Sequence, residues 1–354
     1  MRVPARLAPR LAVVVAALPL LAVGATDGGP LVGGSAAADT PVEQQVGAEA
    51  AARINGRRVV LVSLDGLHRK AISRLGRKRA PTLHRLIRRG AATLNARTLR
   101  ERTLTLPNHT GMLTGRRVDV RRGGHGVWFN TDPGTTVSHA AGEHVSSVFE
   151  VVHDAGGSTA LLTSKDKFAF FRRSWRGAID RFTYRASNRR LARAAVRELR
   201  RDRAFTMLHL SAPDTAGHAH GFLSPRYLRA VERTDRNLGL LVDALRADRE
   251  RAQRTVVLVT ADHGGPRHHR RHSAAGLRAN YTVPVIAWGG GVARGDLYEL
   301  NPAFRDPGPE RTGYRRPKPP IRNGMVANLA TSLLGLRAVP GSTLDRAQQL
   351  DVLS

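Results

Sequence analysis

The chain has 354 residues, 41% of them hydrophobic and 24% charged, a balance that supports a globular fold and excludes collagen, a coiled coil and wholesale disorder. It contains no Cys, which excludes disulfides, thiolate nucleophiles, iron–sulfur clusters and Cys-bound zinc, so any metal site must use His and carboxylates. The net charge is +29, but all except five of the 57 basic residues are Arg and they are spread along the chain. This distribution predicts a solvated basic surface that accepts anionic ligands, without specific nucleic-acid binding.

Residues 1–25 have the pattern of a cleaved secretory signal peptide. Three Arg residues precede an uninterrupted apolar stretch from Leu11 to Val23, and Ala25 closes a small-residue cleavage pattern. The stretch is shorter than a typical transmembrane helix and no comparable run follows it, so we expect a secreted chain without a membrane span after cleavage. An uncleaved anchor is the alternative.

The rest of the chain is predicted to form one catalytic domain behind a short leader. Residues 26–55 are rich in Gly, Ala, Thr and Ser and are expected to be a flexible leader. The single domain would then span residues 56–354.

Strand and helix patterns alternate along this domain. In chain order, the predicted elements are strand Val59–Leu64, helix Pro81–Arg89, a helix from Pro107 toward Gly115, helix Val145–His153, strand Thr159–Thr163, helix Leu191–Arg200, strand Ala204–Leu210, helix Tyr227–Leu245, strand Val256–Thr260, strand Val283–Trp288 and helix Met325–Leu334. Proline-rich residues 296–320 are predicted to be a long irregular excursion. The alternation predicts an α/β fold with a mainly parallel sheet flanked by helices on both faces, and ligands at the carboxyl ends of its strands.

Carboxylates follow three of the predicted strands. Asp65 comes after the first, Asp214 follows the strand that ends at Leu210, and Asp262 follows the strand that ends at Thr260. Seven of the 14 His residues fall in two short windows beside the last two carboxylates, namely His209, His218, His220, His263, His268, His269 and His272. Carboxylate oxygens and imidazole nitrogens are the ligands that Zn²⁺ accepts without thiolates, and an Asp and a His four residues apart can share one side of a helix. The pattern predicts a metal centre, with helix capping by Asp and a solvated basic run as the alternative.

A nucleophile candidate precedes the helix that is predicted to start near Pro107. The hydroxyl of Thr105 would lie at the positive end of this helix, where an anion and a depressed hydroxyl pKa are both favoured. A Thr needs a metal or a base to ionise it. The alternative is that Thr105 only caps the helix.

An ordered set of motifs resembles the alkaline phosphatase superfamily, and within it the type I phosphodiesterase/nucleotide pyrophosphatase branch. The motifs are Asp65-Gly66, Thr105-Leu106-Pro107-Asn108-His109, Thr114-Gly115, His125-Gly126 with Asn130, Asp214 with His218, Asp262-His263-Gly264, and His272 ahead of Val283-Pro284. The resemblance implies an alkaline phosphatase-like fold and two divalent ions, with Zn²⁺ as the first choice. It places Asp65, Asp262, His263 and the Thr105 oxygen on one ion, and Asp214, His218 and His272 on the other.

The resemblance also implies the reaction. Thr105 would attack a phosphoryl group held between the ions, and water would hydrolyse the phospho-threonine intermediate. Asn130 matches the Asn that holds a phosphoryl oxygen in that branch and favours diesters. The Arg-rich residues 116–122 favour the opposite preference, because an Arg that reaches the site would bind a dianionic monoester.

Three departures from the family pattern leave alternatives open. The last His follows His263 by only nine residues, so His268 and His269 compete with His272 as ligands. Leu106 stands where nucleotide pyrophosphatases have an aromatic residue, and a base-stacking slot is not assured. The loop between Gly115 and Gly126 is longer than the family's usual loop.

The function predicted from the sequence is therefore that of a secreted two-metal hydrolase of phosphate esters, acting as a phosphodiesterase or nucleotide pyrophosphatase on an anionic small molecule. A phosphomonoesterase or phosphonate hydrolase is the alternative within the superfamily, and an inactive secreted binding module is the alternative from another class. A sulfatase is disfavoured because the chain has neither Cys nor Ser at the nucleophile position. The absence of a Ser-His-Asp order and of a Gly-x-Ser-x-Gly elbow agrees with a mechanism that needs no separate general base.

Overall fold

The computed structural model describes residues 53–354, so the predicted signal peptide and all but the last three residues of the predicted leader lie outside the described residues. Eight strands form one sheet in the order β4-β3-β5-β1-β6-β7-β2-β8. Their bounds are β1 Arg58–Leu64, β2 Ala91–Arg97, β3 Thr159–Thr163, β4 Arg181–Tyr184, β5 Phe205–Leu210, β6 Thr255–Thr260, β7 Thr282–Gly289 and β8 Gly295–Asp296.

Helices cover both faces of this sheet. Their bounds are α1 Arg69–Arg79, α2 Pro81–Arg89, α3 Thr105–Thr114, α4 Val137–Ala141, α5 Val148–Asp154, α6 Ala169–Ser174, α7 Asn188–Leu199, α8 Ala212–His220, α9 Pro225–Arg246, α10 Arg249–Arg254, α11 Arg278–Tyr281, α12 Leu297–Leu300 and α13 Val326–Leu333, with single 3₁₀ turns at Val120–Arg122, Asp166–Phe168 and Asn323–Met325. Helix α9 packs against α2, α7 and α8, whereas α13 packs against α3 and α5. Both α5 and α7 contact β3 and β5, so the two groups of helices lie on opposite faces of the sheet. The predicted α/β fold with a mainly parallel, helix-flanked sheet is confirmed.

The central strands are apolar because both of their faces are covered. All residues of β3, β5 and β6 are buried, as are those of β1 after Arg58. This burial explains why they read as continuous β-branched and apolar runs rather than as alternating patterns. Among residues 53–354, no helix combines the length and the apolarity that a membrane span requires.

One edge of the sheet is antiparallel, which the sequence pattern did not reveal. Strands β4, β3, β5, β1 and β6 are parallel, but β7 pairs antiparallel with both β6 and β2. The chain between Thr260 and Thr282 contains only the single turn α11 and no crossover helix. Residues 261–281 do not return to the amino end of the sheet, so β7 starts beside the carboxyl end of β6 and runs back along it.

Several boundaries differ from the predictions. The predicted helix 145–153 begins only at Val148, because the Ser147 side chain caps it and accepts a hydrogen bond from the Glu150 N–H at 3.4 Å. The predicted irregular segment 296–320 contains α12 at its start. Strand β2 was missed, since its sequence AATLNAR has few β-branched residues and its pairing with β7 is interrupted by a register shift.

Candidate active site and metal centre

The predicted carboxylates lie at the carboxyl ends of three neighbouring strands in the middle of the sheet. β1 lies between β5 and β6, and all three are parallel, so their carboxyl ends meet. Asp65 follows β1 directly, and Asp262 follows β6 after one residue. Helix α8 starts two residues after β5 and carries Asp214 in its first turn, and the Asp214 N–H donates to the backbone carbonyl of Asp65 at 3.0 Å. The sheet order therefore brings together residues that lie almost 200 positions apart.

Gly66 allows these carboxylates to approach one another. Its φ of +70° is the left-handed region that favours glycine, and a Cβ there would lie 2.9 Å from the Cα and Cβ of Asp214. The Gly66 N–H also donates to Asp262 Oδ1 at 3.0 Å. Glycine at this position thus links the ends of β1, α8 and β6.

The first predicted ligand group is assembled at the end of β6. Asp65, Asp262 and His263 each place one ligand atom within 4.8 Å of the other two, and all three side chains are fully buried. His263 Nε2 lies 3.6 Å from Asp65 Oδ1 and 3.2 Å from Asp262 Oδ2. None of these three atoms has a hydrogen-bond partner within residues 53–354. Buried polar atoms without partners are rare, and here they face one another, as ligands of a cation would.

The second predicted group lies beside the first. His218 is four residues after Asp214 on α8, and its Nε2 lies 3.4 Å from Asp214 Oδ1. His272 Nε2 lies 3.6 Å from the same oxygen and 3.1 Å from His218 Nε2. Asp214 Oδ1 has no hydrogen-bond partner among the described residues. The i, i+4 spacing places the first two ligands on one face of a helix, as the sequence predicted.

Hydrogen bonds to backbone carbonyls orient the ligating histidines. His263 Nδ1 lies 2.8 Å from the Gly264 carbonyl, and His272 Nδ1 lies 2.7 Å from the Thr103 carbonyl. A carbonyl can only accept, so each Nδ1 carries the proton and each Nε2 presents its lone pair to the carboxylates. This is the outer-shell arrangement that metal-bound histidines usually have.

Two more buried histidines, His209 and His109, make hydrogen bonds to residues of the site. His209 Nε2 lies 2.8 Å from Asp65 Oδ2 and its Nδ1 lies 3.0 Å from Thr163 Oγ1. His109 Nδ1 lies 2.8 Å from the Thr105 carbonyl, and its Nε2 lies 2.7 Å from Ser63 Oγ. These two residues position the candidate ligand Asp65 and the helix that carries the candidate nucleophile Thr105, respectively.

The protonation states in the site follow from burial and from neighbouring charges. Burial and the charge of Asp65 raise the pKa of Asp262 well above its usual value. For Asp65, burial acts in the same direction, but the Lys165 ammonium and the His209 hydrogen bond outweigh it and lower the pKa. Burial lowers the pKa of His263 to about 3. Neutral imidazoles beside crowded carboxylates are the donor set that a divalent cation stabilises.

Thr105 is placed at the start of α3, as the sequence predicted. Leu104 is the N-cap and Thr105 is the first helical residue, so Thr105 does not cap the helix. Asn130 lies next to it, since the Asn130 Oδ1 accepts from the Leu106 N–H at 3.0 Å. Gly115 ends α3 with a φ of +64°. The candidate nucleophile therefore lies at the positive end of a helix with the candidate amide beside it.

The sequence reasoning missed Lys165. Its Nζ lies 2.6 Å from Asp65 Oδ2, 2.7 Å from Asp214 Oδ2 and 3.4 Å from Thr105 Oγ1. The pKa of Lys165 is raised, because the nearby carboxylates outweigh the effect of burial. The signal was available, because Lys165 comes two residues after β3 and therefore at a fourth strand end of the same edge.

Lys167 adds a second ammonium beside Asn130. Its Nζ lies 3.0 Å from both the side-chain and the backbone oxygen of Asn130. Burial and the charge of Lys165 lower its pKa to about 8. Two of the five lysines in this Arg-rich chain thus lie next to the candidate nucleophile and amide.

The other residues that the sequence offered as ligands or as phosphate-binding cations do not lie in the ligand groups. His268 and His269 are exposed and belong to neither ligand group, whereas His272 is buried among the ligands. The arginines between Gly115 and Gly126 do not supply the charge that the sequence suggested. Arg116 pairs with Glu143, Arg117 with Glu101 and Arg122 with Asp119, and Arg121 makes no ion pair within the described part of the chain.

Comparison with known proteins shows the family of this chain. The family model of type I phosphodiesterases and nucleotide pyrophosphatases matches residues 59–139 and 120–275, which together cover more than half of the chain. The chain belongs to this family. Membership supports phosphoester hydrolysis as the type of reaction, and enzymes of the wider superfamily use divalent metals.

Curated relatives match only locally. GPI ethanolamine phosphate transferase 1 of Chaetomium globosum is 35% identical over 100 residues, which is 28% of this chain and 10% of that protein. The Neurospora crassa enzyme of the same name is 34% identical over 119 residues, 34% of this chain and 11% of its own length. The chain therefore spans about a tenth of the length of these relatives.

Solved structures share the fold over most of the chain. An inactive variant of murine ectonucleotide pyrophosphatase/phosphodiesterase 5 in complex with AMP has a TM-score of 0.60 at 14% identity, with 84% of this chain and 100% of that chain covered. A protein of the alkaline phosphatase superfamily from Vibrio parahaemolyticus has a TM-score of 0.58 at 14% identity, with 85% and 71% covered. These likenesses establish an alkaline phosphatase-like fold.

Proposed function

We propose that this protein hydrolyses phosphate esters at a two-metal centre, with Thr105 as the nucleophile. The observation that carries the proposal is the pair of neighbouring ligand groups, in which one oxygen of each carboxylate and the His263 Nε2 are buried without a hydrogen-bond partner among the described residues. The Lys165 Nζ connects these groups to the candidate nucleophile, since it lies 2.6 Å from Asp65 Oδ2 and 3.4 Å from Thr105 Oγ1. One ion would be held by Asp65, Asp262, His263 and Thr105, and the other by Asp214, His218 and His272. Two divalent ions, with Zn²⁺ as the first choice for this oxygen and nitrogen set, would lower the pKa of the Thr105 hydroxyl and neutralise charge on the phosphoryl group.

The chain's own residues account for the remaining steps. As Thr105 Oγ1 forms its bond to phosphorus, the bond between phosphorus and the ester oxygen breaks, which leaves a phospho-threonine. Water then attacks this phosphorus and releases the phosphate from Thr105. The Asn130 amide and the Lys165 and Lys167 ammonium groups, which lie around Thr105, neutralise the phosphoryl oxygens in both steps.

The two lysines bear on the choice between monoesters and diesters. The sequence favoured diesters, because a neutral amide at Asn130 matches a singly charged phosphoryl group. A monoester carries a dianionic group that needs further positive donors, and Lys165 and Lys167 supply two within reach of Thr105 and Asn130. We therefore propose that monoesters are the better substrates, and keep phosphodiesterase or pyrophosphatase activity as the second candidate, which the family match supports.

The same phospho-threonine could also transfer its phosphoryl group to an acceptor other than water. The local similarity to GPI ethanolamine phosphate transferases supports it over 100 to 119 residues. A transferase would form the same phospho-threonine and pass its group to a hydroxyl. Product analysis of the monoester reaction in the presence of an added alcohol separates the two, because only a transferase yields the new ester in preference to phosphate.

The nucleophile assignment is tested by two substitutions at one position. Thr105→Val removes the hydroxyl and keeps the shape, so we expect turnover of p-nitrophenyl phosphate and of its bis ester to fall by about 10³-fold or more while the protein keeps its bound metal. Thr105→Ser retains a hydroxyl and should retain part of the activity. A Thr105→Val variant with near-parental turnover would exclude Thr105 as nucleophile.

We propose in addition that the chain is exported, on the basis of the signal-peptide pattern in residues 1–25. The N-terminal sequence of the protein recovered from the culture medium should begin after Ala25. Recovery of the intact chain in the cell fraction alone would contradict this proposal.

A further inference from the structure

A strongly basic concavity lies away from the candidate active site. It has a volume of about 720 Å³ and contains no carboxylate among its lining residues. Trp288 and a Gly-Gly turn line it, together with six arginines, Arg85, Arg88, Arg89, Arg246, Arg249 and Arg294. We call this concavity the arginine pocket.

The arginine pocket lies at the opposite edge of the sheet from the metal ligands. Gly289 at the end of β7 pairs with Val256 at the start of β6, and the Gly290 N–H donates to the Thr255 carbonyl at 3.1 Å. Asp262 lies just beyond the other end of β6. Six extended residues separate the two ends, so about 20 Å of sheet lies between the arginine pocket and the candidate active site.

Positive charge in the arginine pocket is mostly uncompensated. Asp243 accepts from Arg85 at 3.1 Å and lies 3.5 Å from Arg246. The side chains of the other four arginines make no ion pair and no hydrogen bond within residues 53–354. Asp243, which does not line the pocket, therefore compensates two of the six guanidinium groups, and an anion from outside is the group that would balance the others.

Helix electrostatics explains only part of this cluster. Arg88 and Arg89 in the last turn of α2, and Arg246 in the last turn of α9, lie at negative helix ends where cations are favourable. Arg249 is the first residue of α10, where a cation is unfavourable, and Arg294 follows β7 in a loop. The helix dipoles therefore do not explain why Arg249 and Arg294 lie in the same pocket as the other four arginines.

We propose that the arginine pocket binds a compact anion with two or more phosphate groups. Planar guanidinium groups bind phosphate oxygens in pairs, and several of them around one concavity match a ligand with several closely spaced charges. A concave shape favours a small oligophosphate over an extended polymer that lies on a flat surface. The ligand would bind independently of the reaction at Thr105.

Calorimetric titration with inorganic triphosphate tests the proposal. The metal-loaded Thr105→Val protein is used to prevent hydrolysis, in buffer with excess orthophosphate to fill the catalytic centre. We expect one triphosphate per chain. Arg88→Ser combined with Arg249→Ser removes two unpaired, exposed guanidinium groups and should weaken binding by about tenfold or more.

The matched control is Arg193→Ser combined with Arg197→Ser on the exposed face of α7, which changes the net charge by the same amount. It should weaken binding by less than about twofold, because a screened charge at a distance contributes little. Equal losses in both double variants would mean diffuse attraction and would overturn the proposal. Absence of binding in the presence of orthophosphate, or undiminished binding by the Arg88/Arg249 variant, would overturn it as well.

Discussion

Lys165 distinguishes this site from a simple set of metal ligands. Its ammonium bridges one carboxylate of each ligand group, Asp65 and Asp214, and lies close to Thr105. At the scale of single residues, the order of the motifs along the chain predicted the ligands but not this cation. Our proposal that monoesters are the better substrates depends on it.

Lys165→Met should therefore change substrate preference more than it changes overall activity. We expect catalytic efficiency on p-nitrophenyl phosphate to fall by about 10²-fold, and that on the bis ester by less than about tenfold, since only the dianion needs the extra charge. The measurement is the ratio of kcat/KM on the two substrates. Lys78→Met, an exposed lysine on α1, is the charge-matched control and should leave the ratio unchanged. Equal losses on both substrates would show that Lys165 serves another purpose.

At the scale of elements, the ends of strands and helices determine the site. Glycine at position 66 is required by its positive φ and by the close approach of Asp214, and His68 caps the next helix. The His68 Nδ1 accepts from the Lys70 N–H at 3.0 Å, so this nitrogen must stay unprotonated for the cap to form. The loop after Asp65 is thus stabilised by a group that titrates.

His68 predicts a loss of stability in mild acid. Burial and the charges of Lys70 and Arg69 lower the pKa of His68 from 6.5 to about 4. Between pH 6.5 and 4, His68 binds a proton in the unfolded chain but not in the folded chain. The contribution of neutral His68 to the free energy of unfolding is therefore complete above pH 6.5 and is lost as the pH falls toward 4. The change is on the order of 3 kcal/mol.

The measurement is the free energy of unfolding in urea at a series of pH values with chelator present, so that metal release does not contribute. His68→Asn keeps a side-chain acceptor for the Lys70 N–H without a titrating group. Its slope between pH 6.5 and 4 should be smaller than that of the parent. Identical slopes would show that His68 titrates normally in the folded protein.

At the scale of the whole molecule, the bound ions should also stabilise the fold. Three buried carboxylates, Asp65, Asp214 and Asp262, face one another with Lys165 as the nearest cation. Ions that bind only the folded chain stabilise it by about 4 kcal/mol each at a thousandfold excess over Kd. Chelation should then lower the Tm by roughly 10 °C, and Zn²⁺ should restore it.

The metal content of single variants tests the assignment of ligands to two separate ions. Asp262→Asn and Asp214→Asn should each retain one ion of the two, measured by elemental analysis, because they belong to different ligand groups. Asp235→Asn, a buried carboxylate that accepts from the Thr82 and Leu83 N–H groups far from the site, should keep both. Two ions in the Asp214→Asn protein would refute the ligand assignment.

The sequence by itself determined the central strands and predicted every member of the two candidate ligand groups except the last, for which His268, His269 and His272 stayed open. Strands that are buried on both faces, such as β3, have short continuous apolar sequences. Helix α2 begins at a proline, which favours the first turn of a helix. Both signals are local and can be recognised without the tertiary structure. The candidate ligands could be predicted because their residue types suit a cation and because their order along the chain, from Asp65 to Asp262-His263, resembles that of a known family.

Tertiary structure decided what depends on pairing across long stretches of chain. Strand β7 is antiparallel because it starts at the carboxyl end of β6, and β2 is a strand because it pairs with β7 and β8. Selection of His272 over His268 and His269 required the loop to fold back onto α8. Lys165 follows a strand that the sequence predicted, but only the place of β3 beside β5 in the sheet brings its ammonium to Asp65 and Asp214.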